Sequence, residues 1–409
     1  MITERAKQGW LHTFAQLPRR TFLRRALFQI HLWAGIGVGL LASVACLTGS
    51  AIVYKHALET HLNPSLYRTA SAPRASADVL ISRARALHPG WTLEYIDTGR
   101  TSSESDSQES SNSQTSREPW IFYLAPPGAE PFDRDITAYL DPSTGLLLGQ
   151  MQRSTALHPA TAIDWITELH YRLLGGNTGG VVNGIGALLL FVLCVTGMLI
   201  WWPGRRHWRS HLKIHWHARW PRLNWDLHNV VGFWIALPLA VEALSGAFFC
   251  FYAPAATTLV MLLGGNVAQA RQLLVPPQSV MQPVAPAPIE PLLRASLAAH
   301  PECTLAGITL PTSATGAVLF RLAPPHAEDR GDYVQLSFDQ YSGKLLSDID
   351  SRRLGFPIRV VLFMGPLHFG SFVGHWSKLT WIVVGLSPSL LFFTGFVMWV
   401  RRIRRKRRS

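Results

Sequence analysis

His31-Leu32-Trp33-Ala34-Gly35 and His228-Asn229-Val230-Val231-Gly232 are the two stretches that decide how this chain reads. Thr48-Gly49 follows the first and Ser245-Gly246 the second, so each histidine is followed by glycines at the same two offsets (35 − 31 and 49 − 31; 232 − 228 and 246 − 228). Another pair repeats in the same way. His170 precedes Thr196-Gly197 and Trp201, and His368 precedes Thr394-Gly395 and Trp399, again at matching offsets (197 − 170 and 201 − 170; 395 − 368 and 399 − 368). The copies are offset by 197 for the first pair (228 − 31) and by 198 for the second (368 − 170). The 409 residues therefore hold one pattern twice, with two histidines in each copy.

Hydropathy places the pattern in a membrane. Apolar residues make up 48% of the chain and charged residues only 15%. The apolar residues gather in four runs, roughly 26–54, 181–202, 230–252 and 379–400. Each run is long enough to cross a hydrocarbon core of about 30 Å at 1.5 Å per residue. Four crossing helices are expected, because a spanning segment must satisfy its own backbone hydrogen bonds.

The formal net charge of +13 is unevenly placed. Residues 1–28, residues 203–227 and the tail 401–409 carry +5, +5 and +7, leaving −4 for the rest (13 − 17). With four spans these segments share one side, which the positive-inside rule makes cytoplasmic. The basic balance thus speaks of orientation and lipid headgroups, and nucleic acid is not an expected partner. Arg19-Arg20-Thr21-Phe22-Leu23-Arg24 has the look of a twin-arginine export signal. The expectation is retention, since the same apolar pattern recurs internally at 228–252. Cys46, Cys194, Cys250 and Cys303 are scattered, and no Cys-x-x-Cys-His exists to attach haem covalently.

Between the spans lie two polar regions with one order of signals. In the first, 77–87 reads as an amphipathic helix ending at His88-Pro89, strands follow at 92–96, 120–124 and 136–140, and Asp141-Pro142-Ser143-Thr144-Gly145 turns into 146–151. In the second, 292–299 reads as the helix before His300-Pro301, strands follow at 305–310, 317–322 and 333–338, and Asp339-Gln340-Tyr341-Ser342-Gly343 turns into 344–347. The first copy alone carries a Ser-rich insertion, 101–116, and the second a Pro-rich connector, 276–291.

Helix, strands and the Asp-to-Gly turn (Tyr139-Leu140-Asp141, then Thr144-Gly145-Leu146) resemble PepSY domains. The spans, with Leu169-His170, Leu227-His228 and Leu367-His368 and their Thr-Gly or Ser-Gly pairs, resemble PepSY-associated transmembrane proteins over nearly the whole chain. The resemblance implies a membrane protein of four transmembrane α-helices, two parallel repeats of two spans, with two α+β PepSY-like periplasmic domains. The expected division is a cytoplasmic segment 1–25, spans at 26–54, 181–202, 228–252 and 375–400, outer domains at 55–180 and 253–374, a basic amphipathic loop 203–227 and a basic tail 401–409. It further implies a bacterial inner membrane with both termini cytoplasmic. The implied activity is that of a two-haem ferric-siderophore reductase passing electrons outward.

The residues themselves agree with that implication without requiring it. His31 and His228 each lie six residues past an anchoring arginine, Arg25 and Arg222. Gly35, Ala42 and Gly49 share a helix face with His31 and leave room for a flat macrocycle. A pseudo-twofold along the membrane normal faces His31 toward His228, with an iron between them, and makes His170 and His368 a second axial pair. Two imidazoles leave no open coordination site, so two non-covalent haem b groups held this way carry electrons without binding oxygen. Arg24, Arg25, Arg222, Arg172 and Lys378 are near enough in sequence to neutralise propionates. His375, seven residues past His368, is the alternative ligand. The bland reading is that interfacial histidines are polar anchors and that Gly and Thr serve helix packing.

Glu242 lies inside a span, and an ionisable residue at that depth suggests a proton or charge-compensating role, or else a hydrogen bond to a neighbouring helix. His207, His211 and His215 recur every fourth residue, as do Trp208, Leu212, Trp216 and Trp220, so a basic amphipathic helix on the membrane surface is favoured over a metal site. The tryptophans at span ends read as an interfacial belt. No Gly-x-Gly-x-x-Gly opens a helix after a strand, so electrons are expected from a separate cytoplasmic or membrane donor. The expected acceptor is a ferric siderophore or other ferric chelate. Two rivals stay open: a periplasmic binding or regulatory protein built on PepSY domains without redox activity, and a proton-coupled transporter.

Overall fold

A computed structural model describes residues 22–99, 118–128, 136–152, 157–204, 207–268, 270 and 275–407. The Ser-rich insertion, the double arginine at 19–20 and Arg205-Arg206 lie outside the described residues.

The two copies share five helices and four strands in one order. The first runs α1 (Phe22–Ile52), α2 (Lys55–Leu62), α3 (Ala77–Leu87), β1 (Thr92–Asp97), β2 (Trp120–Ala125), β3 (Ile136–Leu140), β4 (Leu147–Gln152), α4 (Ala162–Arg172) and α5 (Gly176–Trp201). The second runs α6 (Trp220–Cys250), α7 (Tyr252–Leu262), α8 (Ile289–Ala299), β5 (Thr304–Thr309), β6 (Ala317–Ala323), β7 (Val334–Asp339), β8 (Leu345–Asp350), α9 (Phe356–Phe369) and α10 (Gly374–Lys406). Among the described residues four helices, α1, α5, α6 and α10, are long and apolar enough to cross a membrane. They pack as a ring in which α1 and α6 each touch both α5 and α10. Phe22 and Arg407 thus lie at one end of the bundle, called here the basic end, and the strands at the other, the sheet end.

The strands of the two copies are continuous with one another. All eight strands form a single antiparallel sheet in the order β4-β3-β2-β1-β5-β6-β7-β8. The copies join where Ile96 on β1 pairs with Ile308 on β5. These residues are equivalent, since each holds the eighth place after the helix-ending histidine of its copy, His88 or His300. A local twofold therefore passes through the seam. One apolar core underlies both halves. Leu80 and Ile81 of α3, Phe122 and Leu124 of β2, Leu292 and Leu293 of α8, and Phe320 and Leu322 of β6 share it. The helix residues fall on one helix face, and the strand residues alternate at i and i+2, the spacing of a sheet face.

The seam is also capped reciprocally. Asp78 accepts from Ile289 N at 2.7 Å and Glu290 N at 3.0 Å, while its counterpart Glu290 accepts from Ala77 N at 2.7 Å. Each carboxylate thus meets the N-terminus of the other copy's helix, where exposed N–H groups and the helix dipole favour negative charge. Burial opposes the charge on Glu290, but the Arg74 guanidinium at 2.8 Å and the Ala77 N–H outweigh it and hold the carboxyl below its ordinary value.

The Asp-to-Gly turns lock the sheet to the connectors from the membrane helices. Asp339 Oδ1 accepts from Tyr341 N and Ser342 N at 3.0 and 2.8 Å, and Oδ2 accepts from Val280 N at 2.9 Å on the connector from α7. Asp141 does the same with Ser143 N and Ala70 N, both at 2.7 Å. The Ser342 N–H foremost, against burial, holds the Asp339 carboxyl at about 2, below its ordinary 3.8. A depressed carboxyl contributes stability above its unfolded value and loses it as pH falls through the folded one. The share of the melting temperature that Asp339 supplies should be full above about pH 4 and be lost between 3.8 and about 2. Asp339→Asn should lower it at pH 7 by the equivalent of about 1–3 kcal/mol and flatten the acid limb, followed by tryptophan fluorescence. An acid limb that is the same in Asp339→Asn and the wild type contradicts this assignment.

Beneath the sheet the copies differ. Lys55 Nζ lies 2.9 Å from Asp164 and 3.2 Å from Glu59. Burial pushes the Glu59 carboxyl up to about 7 despite that ammonium. At offsets of 197 and 198 the second copy has Tyr252, Ala256 and Leu362, and Ala256 and Leu362 sit in an apolar cluster with Phe248 and Val260.

Candidate metal centres

His170 and His368 do not sit at the start of the spans that follow them. Each lies on a separate short helix, α4 or α9, joined to its span by a tight turn. In the first, Leu173 and Leu174 adopt φ of 51° and 58°, and in the second Gly370 adopts 72°. A β carbon on Gly179 would collide with the Arg172 carbonyl, so this corner requires glycine. The turns fold α4 back against α1 and α9 against α6.

That arrangement gives the Thr-Gly and Ser-Gly pairs their use. Each pair holds one histidine from another helix. Thr196 Oγ1 lies 3.0 Å from His31 Nδ1, and Thr394 Oγ1 lies 2.8 Å from His228 Nδ1. Ser245 Oγ lies 2.9 Å from His368 Nδ1. His170 Nδ1 lies 2.7 Å from the Ala45 carbonyl and 3.4 Å from Thr48 Oγ1. The glycine beside each hydroxyl makes room for the ring. A β carbon on Gly49, Gly197, Gly246 or Gly395 would stand 2.7, 3.1, 3.3 or 3.2 Å from Cε1 of His170, His31, His368 or His228. The expected role of Gly49 beside a macrocycle at His31 is therefore corrected: it clears the ring of His170. Gly35 and Ala42 do line the space at His31.

The four imidazoles meet as two couples. The ring centres of His31 and His228 are 6.5 Å apart, and those of His170 and His368 are 6.2 Å apart. Nδ1 of every ring is engaged by a hydroxyl or a carbonyl, which leaves Nε2 as the nitrogen to serve as a ligand. This is the arrangement by which a protein fixes the tautomer of a metal-binding histidine. A metal–nitrogen bond of about 2 Å plus about 1.1 Å from nitrogen to ring centre, taken twice, spans about 6.2 Å. The spacing of both couples suits one metal ion between two imidazoles. From His31 to Gly49, which abuts His170, α1 rises roughly 27 Å, and the couples are separated by about that length.

The couple at the basic end opens on a cavity of about 920 Å³ whose walls include Gly35, Gly39, Gly232 and Trp399. Cofactor sites commonly fall between about 300 and 1,000 Å³. Two buried polar atoms of its lining, Trp201 Nε1 and Asn224 Oδ1, have no partner among the described residues.

Residues 28–402 match the sequence profile of the PepSY-associated TM region. The chain belongs to that family. A protein of Pseudomonas aeruginosa described as uncharacterized is similar to it, 26% identical over 268 residues. The similarity covers 59% of this chain and 64% of that relative, so the chain spans less than two thirds of it.

Other residues singled out in this PepSY-associated TM chain fall elsewhere. Arg222 is committed to Asp226 at 2.8 Å, Arg24 donates to the Ile200 carbonyl at 2.6 Å, and Arg25 is exposed and outside the cavity wall. Arg401, Arg402, Arg404, Arg405 and Lys406 of α10 line the cavity mouth in their place. Arg172 is half-buried at the turn after α4. Lys378 is buried with its ammonium 5.4 Å from the centre of the Tyr54 ring. His375 lies against the same tyrosine, with Nδ1 3.1 Å from Tyr54 Oη. Glu242 sits within electrostatic reach of Cys46 and Cys194 in the bundle centre.

The expected surface helix over 207–216 is absent. The segment is turns with one 3-10 stretch, Ser210–Leu212, and α6 begins at Trp220 with Pro221 in its first turn. His215 Nδ1 is drawn 2.8 Å from Asp226 Oδ2, and His211 Nδ1 meets the His207 carbonyl at 2.9 Å. Among the described residues no three His, Cys, Asp or Glu side chains converge on a metal position.

Proposed function

We propose that this chain is a transmembrane haem oxidoreductase of a bacterial inner membrane, with its basic end cytoplasmic and its sheet periplasmic. In this reading it holds two haem b groups and moves electrons from the cytoplasmic side to a periplasmic ferric chelate such as a ferric siderophore. The observation that carries the reading is the pairing of four imidazoles into two couples with centre spacings of 6.5 and 6.2 Å, every Nδ1 engaged. A purely structural histidine has no need of a partner at metal-bridging distance. Haem supplies one-electron chemistry when bound. The chain's own contribution is to fix ring orientation through the Ser, Thr and Ala45 contacts and to clear the rings with glycine. It also sets one couple toward each face of the bilayer. Ferric iron suits hard siderophore oxygens better than ferrous iron does, so reduction weakens the complex.

The protein purified in detergent with ample haem supply should bind two haems per chain and show sharp reduced α and β bands. Addition of a ferric hydroxamate to the dithionite-reduced protein should bleach those bands as Fe(II) appears, trapped by a ferrous-specific dye. Colourless protein would end the proposal. Haem-loaded protein that no ferric chelate oxidises would leave an electron carrier with another acceptor.

A further inference from the structure

We infer that the basic end of α10 is the docking surface for an acidic, soluble one-electron carrier protein, which delivers electrons to the His31–His228 couple. This inference rests on the redox reading above. The residues that carry it are Arg401, Arg402, Arg404, Arg405 and Lys406, which line the mouth of the same cavity that His31 and His228 enter. All five are exposed, and among the described residues no acidic side chain lines that cavity.

Charge is therefore concentrated around the way in to the couple, beyond what orientation alone needs. Residues 1–28 and 203–227 already contribute +5 each by sequence. Two propionates would take up about two of the five cations at the mouth, and Arg404 and Arg405 stand exposed at its far end. The last turns of a helix present carbonyls and a negative dipole end, which cations offset. Arg404, Arg405 and Lys406 extend beyond that need, lying about 13 Å or more past Gly395, the level of His228, at 1.5 Å per residue. A one-signed patch at the rim of a redox cavity raises encounter with a partner of opposite sign by about 10- to 1,000-fold at low salt.

The class of partner follows from the chemistry. The chain has no dinucleotide-binding motif to accept hydride, so electrons arrive singly or from a partner that splits the pair. A neutral quinol would enter from the lipid and gain nothing from cations at the water face. In the docked complex one electron leaves the reduced carrier, which is oxidised by one equivalent, and no bond forms or breaks.

The test uses the full chain in nanodiscs of zwitterionic lipid, with a reduced flavodoxin as the acidic carrier. Stopped-flow reduction of the wild type should slow steeply from 20 to 300 mM salt. The charge-reversed triple variant R404E/R405E/K406E should react at least tenfold more slowly at low salt and lose that salt dependence. Haem content and reduction by dithionite are measured for both proteins, so that the flavodoxin rate is compared per bound haem. A second measurement, flavodoxin binding to the nanodiscs by surface plasmon resonance, needs no haem and should weaken in parallel. Equal rates and equal binding for variant and wild type overturn the inference. So does a rate that follows the fraction of anionic lipid and ignores the variant, which would make the patch a lipid site. Absence of haem with charge-dependent flavodoxin binding intact would defeat the redox reading and leave the docking surface standing.

Discussion

His228→Ala is expected to lower bound haem from two per chain to one and to leave the other centre's spectrum in place. The two couples share no residue and lie roughly 27 Å apart along α1, so loss of one imidazole has no direct path to the other centre. The substitution would leave His31 as a single axial donor, with Thr394 Oγ1 keeping the hydrogen bond it already donates to the Leu390 carbonyl at 2.8 Å. His368→Ala should remove the other haem and spare the first. His375→Ala should remove neither, because that ring is stacked on Tyr54 and bonded to its hydroxyl. Pyridine haemochrome stoichiometry and the reduced-minus-oxidised spectrum read all three variants. If His228→Ala and His368→Ala each abolish both signals, the histidines hold the bundle together, and the ligand assignment is wrong. Retention of two haems in either variant sinks the pairing outright.

Gly49→Val should be nearly as damaging as losing a ligand, although residue 49 is not proposed to touch the metal. A β carbon there would already stand 2.7 Å from Cε1 and 3.2 Å from Nδ1 of His170, and valine adds two methyl groups. The ring must leave its contact with the Ala45 carbonyl, and a ligand held about 1 Å out of place is a poor ligand. Loss of the outer haem by at least tenfold in affinity is expected, with the inner one retained, measured by haem titration of the apoprotein. Gly246→Ala, whose β carbon would stand 3.3 Å from His368 Cε1, should be milder, broadening the outer signal without abolishing it. Wild-type haem affinity in Gly49→Val would show that the glycine serves helix packing alone.

Much of this was legible in the sequence because the chain repeats. One Thr-Gly pair in a membrane helix says little, but four pairs at matched offsets from four histidines pointed to a common task. The partner of each pair was not legible. Thr196-Gly197 follows His170 in sequence yet serves His31, because α4 turns back and α5 returns alongside α1. Hydropathy located the four spans but not their ends. Asn224 and Asp226 are polar and nonetheless buried in the first turns of α6, with Asn224 donating to the Thr394 carbonyl at 2.9 Å. The joining of the two copies' strands into one sheet had no local signal, since Ile96 and Ile308 meet from opposite halves of the chain. Cations for the inner cavity were sought near the histidines in sequence, at Arg25 and Arg222. The bundle instead brings in the far end of α10, from Arg401 onward, which no local pattern around His31 or His228 announces.

The β1–β5 seam, with Asp78 and Glu290 each reaching across to the other helix, has the form of a self-complementary contact between two identical subunits. The chain is in effect a homodimer made covalent, and both histidine couples straddle its interface. In a true homodimer any change to one side of the membrane face is imposed on the other. Fusion lifts that constraint. One half carries Lys55, Glu59 and Asp164 under the sheet, where the other is apolar at Ala256 and Leu362. Any molecule approaching beneath the sheet would therefore meet two unlike flanks, and a single orientation of approach can be selected where two identical halves would offer two equal ones.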